Sequence, residues 1–220
     1  MFHEICFPTI NRETKIVKQG KTMKKRIAIT GGIGSGKSTI CKLLQEKGYF
    51  VVSCDAIYAS VIKTTAYIQK IKHIAPDVIQ NGEIDRKLLA AKLFQNDMLR
   101  DKVNAVAHPQ IMEELFCVMD NAEEELTFAE VPLLLENGYE DLFDGIIVVL
   151  RDEEQRIAAV KDRDGKTEQE IRAAMRAQFL YDENNLQKLQ ERKPTFLIKN
   201  VGDLSVLQKA IQSALQFFGF

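Results

Sequence analysis

The chain contains no tryptophan, three histidines and four cysteines among 220 residues. Cys6, Cys41, Cys54 and Cys117 are scattered and form no C-x-x-C pair. That scatter argues against a zinc site and a disulfide framework, and it suits a reducing cytosol. No apolar run approaches the roughly 20 residues needed to cross a bilayer. The early run Ile5-Cys6-Phe7 is ended by Pro8 and a polar stretch, so it does not make the apolar core of a secretory leader. Basic and acidic residues number 30 and 31, a net charge of −1, which supplies no bulk field for nucleic acid. The expectation is a soluble cytoplasmic protein with neither a nucleic-acid nor a membrane partner, monomeric or a small homo-oligomer. At 220 residues there is length for one α/β domain with an insertion, burying about 70% of its unfolded surface.

What is present is a phosphate-binding pattern. Gly31-Gly32-Ile33-Gly34-Ser35-Gly36-Lys37-Ser38-Thr39 satisfies G-x-x-x-x-G-K-[ST], with an apolar run at 26–30 before it and helical spacing after it. Glycines let the backbone wrap a phosphate with no Cβ in the way, and successive N–H groups point inward as an anion nest. A helix starting near Lys37 adds the positive end of its dipole. Lys37 offers a mobile cation to the β- and γ-phosphates, and the Ser38 hydroxyl is a natural Mg²⁺ ligand. Gly32 through Thr39 are therefore the expected site of a nucleoside triphosphate.

Residues 1–22 are polar and aperiodic, and Met23-Lys24-Lys25 stands just before the first apolar run. They read either as a disordered extension or as a segment upstream of a start at Met23, outside the fold of residues 23–220 in both cases. Beyond them apolar runs alternate with helical periodicity, the pattern of a parallel sheet covered by helices. Strands are expected at 26–30, 49–52, 126–129, 145–150 and 195–198. The runs at 126–129 and 145–150 are continuously apolar, as strands buried on both faces are. The first helix carries Ile40, Leu43, Leu44 and Lys47 at helical spacing and stops at Gly48.

Between 56 and 125 no further strand is expected. Helical segments broken at Pro76, Asn81-Gly82 and Pro109 form an insertion over the carboxyl ends of the strands, where ligands bind in doubly wound folds. After Arg151 a charged helix breaks at Asp162-Arg163-Asp164-Gly165 and another runs from Thr167 to Tyr181, so residues 152–182 read as a lid. Asp203 caps a last helix with Leu204, Leu207, Ile211 and Leu215 on one face. The fold class is α/β, a doubly wound, mostly parallel five-stranded sheet with a helical insertion and a helical lid.

Around the loop stand several chemically apt residues. Asp55, at the end of the second strand, is placed to accept the proton of an acceptor hydroxyl, or else to cap a helix. Glu130, ending the strand at 126–129, suits Mg²⁺ or a water in its shell; capping the next turn is the alternative. Arg163 is a lid arginine closing over the transferring phosphate, or a solvated charge in a polar turn. His108-Pro109 is a weak candidate for the acceptor side, since a lone histidine more often has a structural role. Asn200 reads a base or simply turns the chain.

Taken as a set, these residues resemble the dephospho-coenzyme A kinases. Thr30 to Thr39 is similar to that family's opening, and Cys54-Asp55 to the segment carrying its proposed base. Gly82-Glu83-Ile84-Asp85-Arg86, Val103 to Pro109 and Val131-Pro132-Leu133-Leu134-Leu135-Glu136 resemble three further family segments. Arg163-Asp164-Gly165 and Arg176-Ala177-Gln178 resemble its lid. Departures are Ser53 where the family usually has an acid, Ala159 where it often has another lid arginine (with Arg156 as a possible substitute), and Pro194-Thr195 near the last strand. The resemblance implies a P-loop kinase that uses Mg·ATP to phosphorylate the ribose 3′-hydroxyl of dephospho-CoA. It implies Asp55 as base, Lys37 and Arg163 as charge stabilisers, and Ser38 with Glu130 at the metal. His108, Pro132, Leu133 and Leu134 are then expected on the CoA side, and Asn200 on the adenine side. Competing expectations are a nucleoside or nucleoside monophosphate kinase and a GTP-dependent switch. The switch requires a guanine-reading N-K-x-D segment, which Leu150-Arg151-Asp152-Glu153 does not provide.

Overall fold

The first apolar run forms strand β1 (Lys25–Thr30), in which Ile27, Ala28, Ile29 and Thr30 are fully buried. It passes through the phosphate loop into helix α1 (Lys37–Glu46), β2 (Phe50–Ser53) and α2 (Cys54–Val61). The insertion comprises α3 (Thr65–Ile74), β3 (Ile79–Gln80), β4 (Glu83–Ile84), α4 (Arg86–Gln95) and α5 (Asp97–Asn121). The chain returns to the sheet in β5 (Leu126–Glu130) and β6 (Gly145–Leu150). Helices α6 (Glu153–Asp164), α7 (Glu168–Arg176) and α8 (Glu183–Arg192) precede β7 (Thr195–Lys199) and α9 (Leu204–Phe217). The structure, a computed structural model, describes residues 24–220. The extension expected at 1–22 lies outside the described residues. Among the described residues no helix is long and apolar enough to cross a membrane.

The main sheet is parallel throughout, in the order β2-β5-β1-β6-β7. Alternation along the strands divides the core. Ala28, Ala129, Ile146 and Val148 face the insertion, whereas Ile27, Ile29, Ile147 and Val149 face α1 and α9. The register sets Ser53 of β2 and Ile29 of β1 both opposite Glu130 of β5. One sheet edge therefore carries the phosphate loop, the start of α2, Glu130, Arg151 and Asn200. Ligands of doubly wound sheets bind at this edge.

Four features differ from the sequence expectation. Asn81-Gly82 does not merely separate helices. Both residues take positive φ, 51° and 83°, and they join β3 to β4 in an antiparallel hairpin, as a two-residue primed turn requires. Pro109 does not break its helix either: α5 runs for 25 residues through it. The proline removes one helical N–H, at a cost of about 3 kcal/mol. Val103, Ala107, Met112, Leu115 and Met119 anchor the helix on both sides of that point, and the Gln110 amide donates to the Val106 carbonyl at 3.0 Å. Helix α8, which no strong periodicity announces, forms on only two buried leucines, Leu186 and Leu189, with Asp182 capping it. On α9, Leu207, Ile211 and Leu215 are buried, but Leu204, the first residue of the helix, is 58% exposed.

The region expected as a lid folds, at α6 and α7, as a helical hairpin. Gly165 at φ 66° ends α6, and a reciprocal Thr167–Glu170 capping box starts α7. The Arg172 guanidinium of α7 joins Glu168 on its own helix at 2.8 Å, Glu154 on α6 at 2.9 Å, and also Glu153. Beneath it Ile157, Val160 and Ile171 form a small separate core, against which Ile33 of the phosphate loop packs.

Phe128 is fully buried in β5 and meets Tyr49 edge-on at 5.6 Å. Phe128→Ala is expected to lower unfolding stability by about 3–5 kcal/mol, read from urea denaturation midpoints at unchanged slope. A loss below about 1 kcal/mol would show that this core collapses around the gap.

Candidate active site

The phosphate loop is shaped by its neighbours as much as by its own residues. Gly36 stands at φ 98°, and a Cβ there would meet the Asn200 Nδ2 at 2.2 Å. Gly34 stands at φ 76°, where a Cβ would meet the Arg156 carbonyl at 2.6 Å. Both positions thus need glycine for conformation and for clearance. The Lys37 ammonium donates to the Gly31 carbonyl at 2.8 Å and the Gly32 carbonyl at 3.2 Å. Burial holds the Lys37 pKa below its usual value, with the Glu130 carboxylate pulling the other way. The Ser38 hydroxyl donates to Glu130 Oε1 at 3.1 Å.

Above the loop lies a cavity of about 500 Å³. Gly34, Gly36, Lys37, Ser38 and Thr39 line it together with Asp55, Glu130 and Arg163. Arg163 is not in a turn between helices, as its sequence context suggests. It sits in the last turn of α6, largely exposed, with its guanidinium on the neighbouring Asp164 at 2.7 and 2.9 Å. That pairing raises its pKa further. Ala159 lines the same cavity, and the second arginine in its wall is Arg151, whose Nη1 donates to the Gly34 carbonyl at 3.4 Å; Arg156 lies against the loop, its Nε donating to the Ile33 carbonyl at 2.8 Å.

A second cavity of about 260 Å³ opens on the insertion side. Tyr58, Tyr67, Val103, Ile111, Met112 and Leu133 make it mostly apolar, with Asn104, His108 and Asn137 as polar points. The His108 ring meets Tyr139 edge-on at 6.4 Å, and burial lowers its pKa against an opposing hydrogen bond with Asn137. Cys54 also lines this cavity, but burial and then the charges of Asp55 and Glu130 push its thiol up to about 12, far from a reactive thiolate.

Asp55 and Pro132 line both cavities. Asp55 lies two residues past the end of β2, in the first turn of α2, and is exposed. Capping of that helix belongs to Ser53, whose hydroxyl accepts from the Ala56 N–H at 3.1 Å, so the Asp55 carboxylate is free of that duty.

Two expected site residues stand elsewhere. Leu134 is fully buried in the main core, because the turn after Pro132 points it inward while Leu133 faces out. Asn200 is 5% exposed and does not line the cavity above the phosphate loop. Its amide donates to the Ser35 carbonyl at 2.9 Å and its oxygen accepts from the Gly202 N–H, bracing the phosphate loop from behind. Gln178, noted only as part of a lid-like segment, reaches the loop directly. Its Oε1 accepts from the Ile33 N–H at 2.7 Å. Sequence periodicity carries no signal for such a long-range side-chain contact.

A family model described as dephospho-CoA kinase matches residues 25–203. A dephospho-CoA kinase from Thermus thermophilus is 33% identical over 189 residues, spanning 86% of this chain and 89% of its own. A crystal structure from the same organism matches with a TM-score of 0.74 at 31% identity, over 88% of this chain and 97% of that one. A dephospho-CoA kinase structure from Campylobacter jejuni, at 22% identity and a TM-score of 0.61, shares the fold over 89% of this chain and 98% of its own. With a phosphate loop and a second cavity meeting at one carboxylate, and with this likeness along nearly all of the described residues, the chain belongs to the dephospho-CoA kinase family.

Proposed function

We propose that the protein transfers the γ-phosphoryl group of Mg·ATP to the ribose 3′-hydroxyl of dephospho-CoA, releasing coenzyme A and ADP. The observation carrying this reading is the position of Asp55 in the wall common to the two cavities. ATP lies on the loop from Gly34 to Thr39, and the acceptor's ribose projects between Pro132 and Asp55. The acceptor oxygen forms its bond to the γ-phosphorus as the bond to the ADP oxygen breaks, while Asp55 takes the hydroxyl proton. The loop N–H groups, Lys37 and Arg163 face the charge on the transferring group. The apolar cavity bounded by Tyr58, Leu133 and His108 suits the uncharged pantetheine arm better than a second phosphate.

Mg²⁺ fits this site by donor chemistry. The Ser38 hydroxyl and the Glu130 carboxylate are hard oxygen donors 3.1 Å apart at the start of α1. Mg²⁺ takes few protein ligands and keeps phosphate and water oxygens, so two suffice. Among the described residues no group of three or more His, Cys, Asp and Glu side chains gathers, which accords with that mode and not with an all-protein cage. Bound between Ser38 and Glu130, the ion would neutralise charge on the β- and γ-phosphate oxygens.

Turnover with purified dephospho-CoA, with the phosphorylated position assigned by NMR, tests the reaction; product phosphorylated elsewhere than at the 3′-oxygen would overturn it. Asp55→Asn is expected to lower kcat at least about a hundredfold while leaving nucleotide affinity near wild type. Near-normal turnover would remove Asp55 as the base. For Lys37, a bound phosphate favours the charged ammonium, whereas burial in the free protein disfavours it. Nucleotide binding therefore takes up a proton at alkaline pH, and affinity falls as pH rises through the lowered Lys37 pKa toward the ordinary value of 10.5. Calorimetry across that range checks the sign. Lys37→Arg, charged throughout, should flatten the profile, and a flat wild-type profile would mean that Lys37 does not meet the phosphates.

A further inference from the structure

Ile33 is held by the lid region at three points. Its side chain packs on Ile157, Val160 and Ile171, its carbonyl accepts from Arg156, and its N–H donates to Gln178. Gln178 opens a short strap, residues 178–181, that reaches two other parts of the molecule. The Phe179 N–H donates to Glu136 Oε1 at 2.9 Å, and the Tyr181 hydroxyl lies 3.5 Å from the Thr30 hydroxyl at the end of β1. Glu136 belongs to the loop after β5, which also presents Pro132, Leu133 and Asn137 to the second cavity. One strap thus grips the phosphate loop at one residue and the cavity-lining loop at the next. Among the described residues, Glu136 Oε2 is buried with no hydrogen-bond partner.

We propose that Gln178 is a positioning residue: it sets the Ile33 peptide in the phosphate loop according to whether the second cavity is filled, with the Phe179–Glu136 hydrogen bond as the link. The inference rests on the reading of that cavity as the dephospho-CoA site. Nothing in it requires Gln178 to touch either substrate. Its effect is on the shape of the nest that receives the triphosphate. The coupling is reciprocal, so filling the nest favours the acceptor by the same factor.

The experiment measures, by calorimetry, the dissociation constant of a non-hydrolysable ATP analogue with Mg²⁺, in the absence and presence of dephospho-CoA. In wild type, dephospho-CoA is expected to tighten nucleotide binding about fivefold or more. Gln178→Ala and Glu136→Ala should each reduce that factor to below about twofold, with a smaller change in the binary nucleotide affinity. Glu136→Gln keeps an oxygen for the Phe179 N–H and should retain the factor, which separates the link from general destabilisation. The Gln178→Ala/Glu136→Ala double variant should lose no more than either single one, as members of one chain do. Wild-type coupling in Gln178→Ala, additive losses in the double variant, or failure of Glu136→Gln to retain the factor would each overturn the inference. Wild type that binds dephospho-CoA without any coupling overturns the inference alone. Wild type that does not bind it at all overturns the acceptor reading, and the inference with it.

Discussion

A loop that must turn its peptide N–H groups toward a phosphate has few side chains of its own to keep its shape. Here the shape is imposed from outside. Lys37 ties back to the Gly31 and Gly32 carbonyls, Asn200 holds Ser35 from behind, and Arg156 and Gln178 hold Ile33 from the lid. These anchors come from α1, from the end of β7 and from the lid hairpin. They converge because five parallel strands end at one edge. Remove the common edge and the anchors have no shared target. The glycines at 34 and 36 are what let Arg156 and Asn200 approach so closely.

The same edge brings the two cavities together. Asp55 and Pro132 are shared by the linings of both. Ser53 takes the place of the acid usual in the family, and its hydroxyl caps α2. Serine and aspartate are near equals as helix caps, so the change preserves the entry angle of the helix that presents Asp55. Local charge is mixed. Lys37 is discouraged from charging by burial and encouraged by Glu130, a balance that an incoming anion tips toward the ammonium.

The sheet was legible because its strands are short apolar runs between breakers, and the phosphate loop because its glycine and lysine spacing has a backbone reason. Other parts were not. Asn81-Gly82 reads as a breaker and as a hairpin turn with equal ease when only two residues pair on each side. Pro109 reads as a helix end until the buried face that continues past it is known. Leu133 and Leu134 are the same residue type at adjacent positions, and only the turn decides which one faces the cavity. Asn200 and Gln178 act through contacts across more than a hundred residues of chain. No window along the sequence carries that distance, so their neighbours were invisible before the fold was known.

Arg172 gathers three glutamates, two from α6 and one from α7, and so closes the hairpin on itself. All three carboxylates are well exposed, which leaves the clasp open to screening by dissolved ions. The small apolar cluster of Ile157, Val160 and Ile171 beneath it is not. Rising ionic strength should therefore loosen the base of the hairpin, where Glu153 and Glu154 begin α6, while the apolar cluster and the Gly165 turn keep the two helices together on Ile33, making the hairpin a jointed finger in brine and a stiff one in dilute buffer.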